Sequence, residues 1–444
     1  MSHYKPYPAY KDSGVEWIGQ MPEHWIVAPL KRNFKIVGGS TPKSEQEAYW
    51  DGEIVWVTPS DLSKLSSIGI SNSQRKITTE GLVSCGTTLV PSGSIVLSTR
   101  APIGSLAIAE TELCTNQGCK SLVPFADTQS HFYGYLLSIS TGELNIRGKG
   151  TTFLELSGDE LRTFKLGVPP KTEQQTIAAF LDRETARIDA LITKKTRFIE
   201  LLKEKRSALI THAVTKGIAP NAKMRDSGVE WIREVPEHWD VMRLRHVALF
   251  KNSNVDKKAY DGQEAVSLCN YTDVYYNEFI TPNLPFMQAT ASAAEVEQFS
   301  LKKGDVLITK DSEDPTDIGI PSLVAEEMPG VVCGYHLTMI RGDDFDTARL
   351  LHRILQSHPT QAHFFVEAPG ITRYGLSQDA IGDLRCCLPP KNERSQIADH
   401  LDRETARIDT IIAKTQHSID LLKERRSAFI SAAVTGQIDL REAA

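Results

Sequence analysis

Cysteine is sparse. The 444 residues contain seven, at Cys85, Cys114, Cys119, Cys269, Cys333, Cys386 and Cys387, and none stands in a Cys-x-x-Cys spacing. An odd, scattered set argues against a disulfide framework or a thiolate zinc site, and for reduced, mostly buried thiols of a cytoplasmic protein. Long apolar runs are also missing. No stretch approaches the roughly 18–20 residues of a membrane span, and the start, Met1-Ser2-His3-Tyr4-Lys5-Pro6, lacks the apolar core of a secretory signal. The familiar catalytic signatures are absent too: no GxxxxGK[ST], no GxGxxG after a strand, no HExxH, no GxSxG and no Pro-Pro tetrapeptide of an amino-methyltransferase. The 12 histidines show no metal-ligand pairing. Nor is there an excess of positive charge. Lys+Arg number 50 against 56 Asp+Glu, a formal net charge of −6, which by itself speaks against a protein that grips phosphates through clustered cations. The hydrophobic share of 41% and charged share of 24% are those of globular domains. The length suggests two to four of them, at roughly 100–200 residues each.

What the chain does contain is a repeat. Residues 12–32, DSGVEWIGQMPEHWIVAPLKR, return at 226–246 as DSGVEWIREVPEHWDVMRLRH, identical at 13 of 21 positions. Residues 168–218 return at 388–438 with about 30 identities in 51, and LDRETARID is unchanged at 181–189 and 401–409. The offsets are 214 and 220, so the intervening bodies differ in length by six residues, yet they share little sequence. Drift alone would blur every segment alike. Near-identity confined to the connectors points to one scaffold presenting two different surfaces. His24 and His238, beside Trp25 and Trp239 in the repeated PEHW, are expected to pack rather than to react.

The second repeated segment reads as a long helix. Pro169-Pro170 blocks an earlier start, and Thr172 can cap, with Glu173 in the first turn. No Gly or Pro interrupts Ile177 to Ala213. The apolar stripe runs through Ile177, Leu181, Ile188, Ile192, Ile199 and Leu202 in the first copy, and through Ile397, Leu401, Ile408, Ile412, Ile419 and Leu422 in the second, with heptad character. Some 40 residues make a helix of about 60 Å, and an apolar stripe of that length needs a partner in water. The expected partner is the other copy, packed antiparallel about a pseudo-twofold axis.

The bodies read as β-rich and mixed. Strand-like runs fall at 54–57, 88–90, 94–98, 106–108 and 122–123 in the first, and at 265–268, 305–309, 323–325 and 337–340 in the second, with a helix expected around 131–140. Their loops carry the side chains suited to base edges and phosphates. In the first body these are Thr41, Lys43, Thr58, Ser60, Arg100, Asn116, Gln117, Lys120, Arg147, Lys149 and Thr151. In the second they are Asn270, Thr272, Lys310, Tyr335, His336, Arg373 and Tyr374. The Gly-flanked run from Arg147 to Thr151 would let the backbone approach a phosphate closely. Divided by segment, the acidity is local: residues 20–168 carry 13 cationic against 14 acidic side chains, the first repeated helix (168–218) 10 against 6, and residues 235–387 13 against 22.

The pattern resembles the specificity (S) subunit of bacterial type I restriction–modification enzymes. The resemblance rests on SGVEWIG…PEHW, GSIVLSTRAPIG at 93–104, Thr115-Asn116-Gln117-Gly118, and VPPKTEQQTIAAFLDRETARID. In the second half it rests on GDVLITKD at 304–311, Cys333-Gly334-Tyr335-His336-Leu337, and LPPKNERSQIADHLDRETARID. It implies an α+β chain: an N-terminal arm (1–24), a target recognition domain (25–168), a helical spacer (169–217), a repeated arm (218–239), a second recognition domain (240–387) and a second helical spacer (388–440). Each domain would read one half of a bipartite double-stranded DNA site, and the helices would act as a ruler. Two methyltransferase subunits and two motor-nuclease subunits would be the partners, and S-adenosylmethionine, ATP and Mg²⁺ would belong to them. This chain would be non-catalytic, cytoplasmic and free of metal, and would bind DNA weakly when isolated. Lys310-Asp311-Ser312 in place of Thr99-Arg100-Ala101 leaves the Arg100 contact without a counterpart in the second body. The alternative reading is a coiled-coil scaffold with two peptide-binding modules.

Overall fold

Each repeat opens on the same hairpin. Tyr10–Asp12 pairs antiparallel with Gln20–Pro22, and Met224–Asp226 with Glu234–Pro236. The shared Asp-Ser-Gly makes the turn in both. Asp12 Oδ1 accepts from the Gly14 amide at 2.8 Å and Asp226 Oδ1 from Gly228 at 2.9 Å, with the glycines at φ +67° and +71°, a conformation that favours glycine. The chain then runs into Ile26–Pro29 or Asp240–Arg243, each of which pairs antiparallel with the strand that closes its body, Lys165–Val168 or Arg385–Leu388.

This computed structural model describes residues 4–65, 67–100, 102–150 and 154–442. Its contacts form two units: Met1–Lys194 with Ser418–Ala444, and Lys195–His417. The first unit contains a five-stranded sheet in the order Phe34–Gly38, Cys119–Pro124, Ile95–Ser98, Leu106–Ala109, Gly69–Ile70. Beside it lies a three-stranded sheet, Leu113–Thr115, Trp50–Val57, Lys76–Ile77. The second unit repeats both orders. Its five strands are Leu249–Asn252, Leu337–Arg341, Asp305–Thr309, Pro321–Val324 and Phe279–Ile280, and its three are Val331–Cys333, Glu264–Cys269 and Met287–Ala291. The parallel and antiparallel senses match strand for strand. The divergent bodies are therefore one α+β fold drawn twice.

Most expected strands lie within the observed ones. Residues 88–90 are an exception: only Val90 bridges, to Leu113, and Pro91, which cannot donate, keeps the ladder from continuing beyond it. The expected helix near 131–140 is Ser130–Ile139. Six of the seven cysteines are buried and none is bonded to another. Burial pushes the Cys114 and Cys119 thiols up to about 12.

The repeated segments are helices of 46 and 44 residues, Lys171–Lys216 and Lys391–Val434. The first begins one residue before Thr172, so Thr172 lies inside the first turn rather than capping it; its carbonyl accepts from Thr176 Oγ1 at 3.1 Å. In the first unit, Ile177, Leu181 and Ile188 are buried in one core with Trp25, Phe164, Phe429, Ile430 and Val434, and Ile192 and Leu422 pack at its margin. In the second, Ile210 and Val214 share a core with Trp239, Ile397 and Leu401. Ile199, Leu202, Ile408 and Ile419 are also buried, and Ile412 is half-buried. One ion pair occurs in both units at positions the repeat makes equivalent. Asp189 accepts from Arg426 Nε at 2.9 Å in the first unit, and Asp409 from Arg206 Nε at 3.0 Å in the second. Within each unit the two helix segments run in opposite directions, as Phe180 against Phe429 and Asp189 against Arg426 illustrate in the first.

Candidate nucleic-acid interface

The repeated PEHW motif is structural in both units. Glu173, in the first turn of its helix, accepts from His24 Nε2 at 2.7 Å, Trp25 Nε1 at 2.9 Å and Tyr7 Oη at 2.5 Å. Glu393 accepts from His238 Nε2 at 2.7 Å and Trp239 Nε1 at 3.1 Å. The His-Trp pair thus clamps the arm to the helix start. The carboxylate also sits where the helix dipole favours negative charge.

The next junction, body to helix, uses the same helix residue with different partners. In the first unit Asp182 of LDRETARID accepts from Tyr135 Oη at 2.8 Å and contacts His131 Nδ1 at 3.1 Å. The equivalent Asp402 accepts from Arg353 at 2.7 Å and from Arg349 at 2.5 Å. Arg353 is 2% exposed and also donates to Glu278 at 2.5 Å, which takes a further bond from Arg206 at 2.6 Å. Burial works against the charge on both Glu278 and Asp402, but the arginines outweigh it and hold both carboxyls below their usual range. His352, buried beside Arg353, is pushed down to about 3 and is neutral. An unchanged helix acid meets two different bodies, and this is how the connectors stay alike while the bodies diverge.

The predicted loop residues gather at one end of each body. In the first, Thr41 Oγ1 donates to Gln117 Oε1, and the Thr99 amide donates to the Gly118 carbonyl at 2.8 Å. These bonds bring the loops of Thr41, Arg100, Asn116 and Gln117 together, with exposed Lys43 and half-buried Lys120 on the adjoining segments. Thr58 and exposed Ser60 lie next to them, since Pro59 approaches Gly118. Several of these side chains are already committed locally. Thr58 caps the short helix Pro59–Ser63 through Asp61 (Oγ1 to Oδ2, 2.6 Å), and Asn116 Oδ1 accepts from the Gly118 amide at 2.9 Å. Lys149 pairs with Glu160 at 2.7 Å, and Arg147 lies 3.9 Å from the same carboxylate and over the Phe164 ring. The glycine-flanked run therefore holds its cations against an acid. Thr151 lies outside the described residues. Arg100, about half exposed, bonds Glu155 at 3.2 Å.

In the second body the Lys310 amide donates to the His336 carbonyl at 3.0 Å, and Leu376 N to the Lys310 carbonyl at 2.8 Å. These match the Thr99–Gly118 bond and the Leu156-to-Thr99 bond at 2.8 Å. Lys310 thus occupies the position of Thr99, and Asp311 that of Arg100. Asp311 accepts from Arg373 at 2.6 Å and contacts His336 Nδ1 at 2.6 Å. Burial and polarity are reversed at one and the same place: an exposed cation held by an acid in the first body, a half-buried acid holding an exposed cation in the second. Lys310 itself turns inward, its Nζ 3.4 Å from the Ser253 carbonyl. Tyr335 packs on His336, and Tyr374 pairs with Ser312 on the short strand beside Asp311. Asn270 caps Tyr271–Tyr276 with Asp273, as Thr58 does with Asp61.

A cleft of about 690 Å³ opens here, lined by Thr272, the Arg373–Asp311–His336 group, Lys257, the acids Glu313, Asp314 and Asp317, and three tyrosines. Tyr271 and Tyr275 stack with centroids 5.6 Å apart, and Tyr276 is 77% exposed. The sequence reading missed Tyr275, Tyr276, Lys257, Glu155 and the pivotal role of Asp311. The Gly304–Asp311 alignment with Gly93–Arg100 was the one signal available for Asp311. Among the described residues no group of three or more His, Cys, Asp or Glu side chains is placed to hold a metal ion, and no helix is long and apolar enough to cross a membrane.

The chain is thus a duplicated α+β fold with two differently furnished loop ends. Residues 22–201 match the family described as the type I restriction modification DNA specificity domain. It is 34% identical over 229 residues to the type I restriction enzyme MjaIX specificity subunit of Methanocaldococcus jannaschii, covering 51% of this chain and 52% of the relative. It is 20% identical to the EcoKI specificity subunit of Escherichia coli over 95% of this chain and 90% of the relative. The chain thus spans about half the length of the first of these relatives and most of the second. Among solved structures it resembles one from a study of complex assembly and conformational transition of the type I R-M system (TM-score 0.72, 15% identity, 94% and 99% coverage). It also resembles the HsdS subunit from Thermoanaerobacter tengcongensis (TM-score 0.55, 16% identity, 94% and 98% coverage). The family resemblance read from the repeated motifs is borne out, and these likenesses agree with the α+β fold.

Proposed function

We propose that the chain is the DNA-recognition subunit of a type I restriction–modification complex. Each body reads one half of a bipartite, asymmetric double-stranded site through its loop end. The paired helices set the spacer and dock two methyltransferase subunits, and two motor-nuclease subunits complete the assembly. S-adenosylmethionine, ATP and Mg²⁺ act in those partners, and this chain contributes selection rather than catalysis. The observation that carries the reading is the pair of identical sheet topologies bearing Arg100–Glu155 at one loop end and Asp311–Arg373–His336 at the same place in the other. One scaffold with opposite polarity at equivalent positions is suited to two different base sequences. Arginine suits guanine O6 and N7, and a carboxylate suits an exocyclic amino group. Partner subunits supply much of the phosphate attraction, which accommodates an acidic second body.

The test is methylation-motif sequencing of the reconstituted methyltransferase complex. Arg100→Ala is expected to relax one half-site, and Arg373→Ala the other, each mismatch tolerance shifting by about 1–3 kcal/mol of discrimination. Uniform loss at every site, with both half-sites still read as before, would count against base reading by these loops.

A further inference from the structure

The two copies of the arm clamp are not equally filled. In the first unit Tyr7 is 3% exposed and donates its hydroxyl to Glu173 at 2.5 Å. Its ring meets Trp25 edge-on at 6.2 Å, and the Arg441 guanidinium lies 5.2 Å above it. Glu173 thereby receives three side-chain donors and is 5% exposed. In the second unit the repeat puts Asn221 in the place of Tyr7, and Asn221 is exposed. Glu393 keeps the His238 and Trp239 donors, lacks the third, and is 32% exposed. Where the phenol stands in the first unit, the second has a cleft of about 310 Å³ bordered by Trp239, His238, Glu393, Pro236 and Ile397. The frames correspond closely. Gly217 at φ +75° approaches Trp239 just as Gly436 at φ +74° approaches Trp25.

We infer that this second-unit cleft is a binding site for a tyrosine side chain presented on an extended segment of a partner polypeptide. The molecule itself supplies the occupant's chemistry. A phenol ring packs against the clamp tryptophan, and its hydroxyl donates to a carboxylate fixed in the first turn of a helix. Most buried tyrosine hydroxyls are paired with an acceptor, and hydrogen bonds to a charged acceptor are the stronger kind. Phenylalanine would fill the apolar wall but leave Glu393 one donor short. The inference is independent of DNA reading.

The probe is a synthetic peptide of residues 4–10, Tyr-Lys-Pro-Tyr-Pro-Ala-Tyr, titrated calorimetrically into the full-length chain. We expect saturable one-to-one binding, weakened roughly tenfold or more when the peptide's Tyr7 is phenylalanine. Asn221→Tyr, which supplies the phenol in cis, should abolish binding and raise the melting temperature. Should that variant misfold, Glu393→Gln tests the same contact and should weaken the peptide severalfold. No saturable binding, or equal affinity for the Tyr and Phe peptides, overturns the site. Dimerisation of the unliganded chain that Asn221→Tyr removes would assign the cleft to the arm of a second copy and overturn the partner assignment.

Discussion

Replacing Arg353 by methionine tests how the second recognition body is held on its helices. The guanidinium is 2% exposed and bridges Glu278 on the body and Asp402 on the helix, at 2.5 and 2.7 Å. Methionine preserves the packing and removes the charge. Breaking a buried pair from one side costs about 3–5 kcal/mol, because the remaining charges stay buried. For a unit of this size that is a fall of roughly 6–20 °C in Tm, at about 2–4 °C per kcal/mol. The first-unit counterpart, Tyr135→Phe, removes one hydroxyl from Asp182 and should cost about 1.5–3 kcal/mol at most. The network also has a pH signature. Glu278 and Asp402 are held below their ordinary carboxyl range. Their contribution is therefore complete above that range and is lost as pH falls through the lowered values. Calorimetric melts of both variants from neutral to acid pH give the answer. Arg353→Met is expected to be the more damaging at neutral pH, with its deficit shrinking in acid. A loss below about 1 kcal/mol at neutral pH, within the range of a surface pair, would refute the claim that this network fastens the body.

Two further outcomes are expected. His131 is raised by its bond to Asp182, against the effect of burial. Its stabilising contribution is present below its ordinary value and disappears as pH rises through the raised one. His131→Gln should therefore cost under about 1 kcal/mol, since the pair is half exposed, and only on the acid side, as denaturant melts at pH 5.5 and 8.5 would register. Inserting one heptad within Leu191–Leu202 and within the equivalent stretch of the second helix should change the spacer tolerated in the methylated motif; an unchanged spacer would remove the ruler role.

The connectors were legible because they are nearly identical. Repetition marked the helices, and the stripe from Ile177 to Leu202 follows a helical period. That the two bodies are of one kind was legible from the repeat and from the match of Gly93–Leu97 with Gly304–Ile308, but their strand order was not. Strands of two to five residues, such as Gly69–Ile70 and Phe279–Ile280, carry too little pattern to fix a strand order, and topology tolerates wide changes of side chain. The loop ends were half legible. Arg100 and Arg373 stand out as cations in polar loops, but their partners Glu155 and Asp311 lie 55 and 62 residues away in sequence. Nothing local says that Lys149 is spent on Glu160 or Lys310 on a backbone carbonyl. Glu173 was seen only as a first-turn acid, and Glu393 was not singled out. Their role as clamps appears once the arm folds back 149 and 155 residues to meet them.

The most direct test of two-body reading is to exchange a body. A chain carrying residues 26–168 in place of 240–388 keeps both helices and both arms but presents the first loop end twice. Sequencing the methylated motif of cells that express it with its partner subunits should show an inverted repeat of one half-site around a spacer. Retention of the original asymmetric motif would contradict the assignment of one half-site to each body.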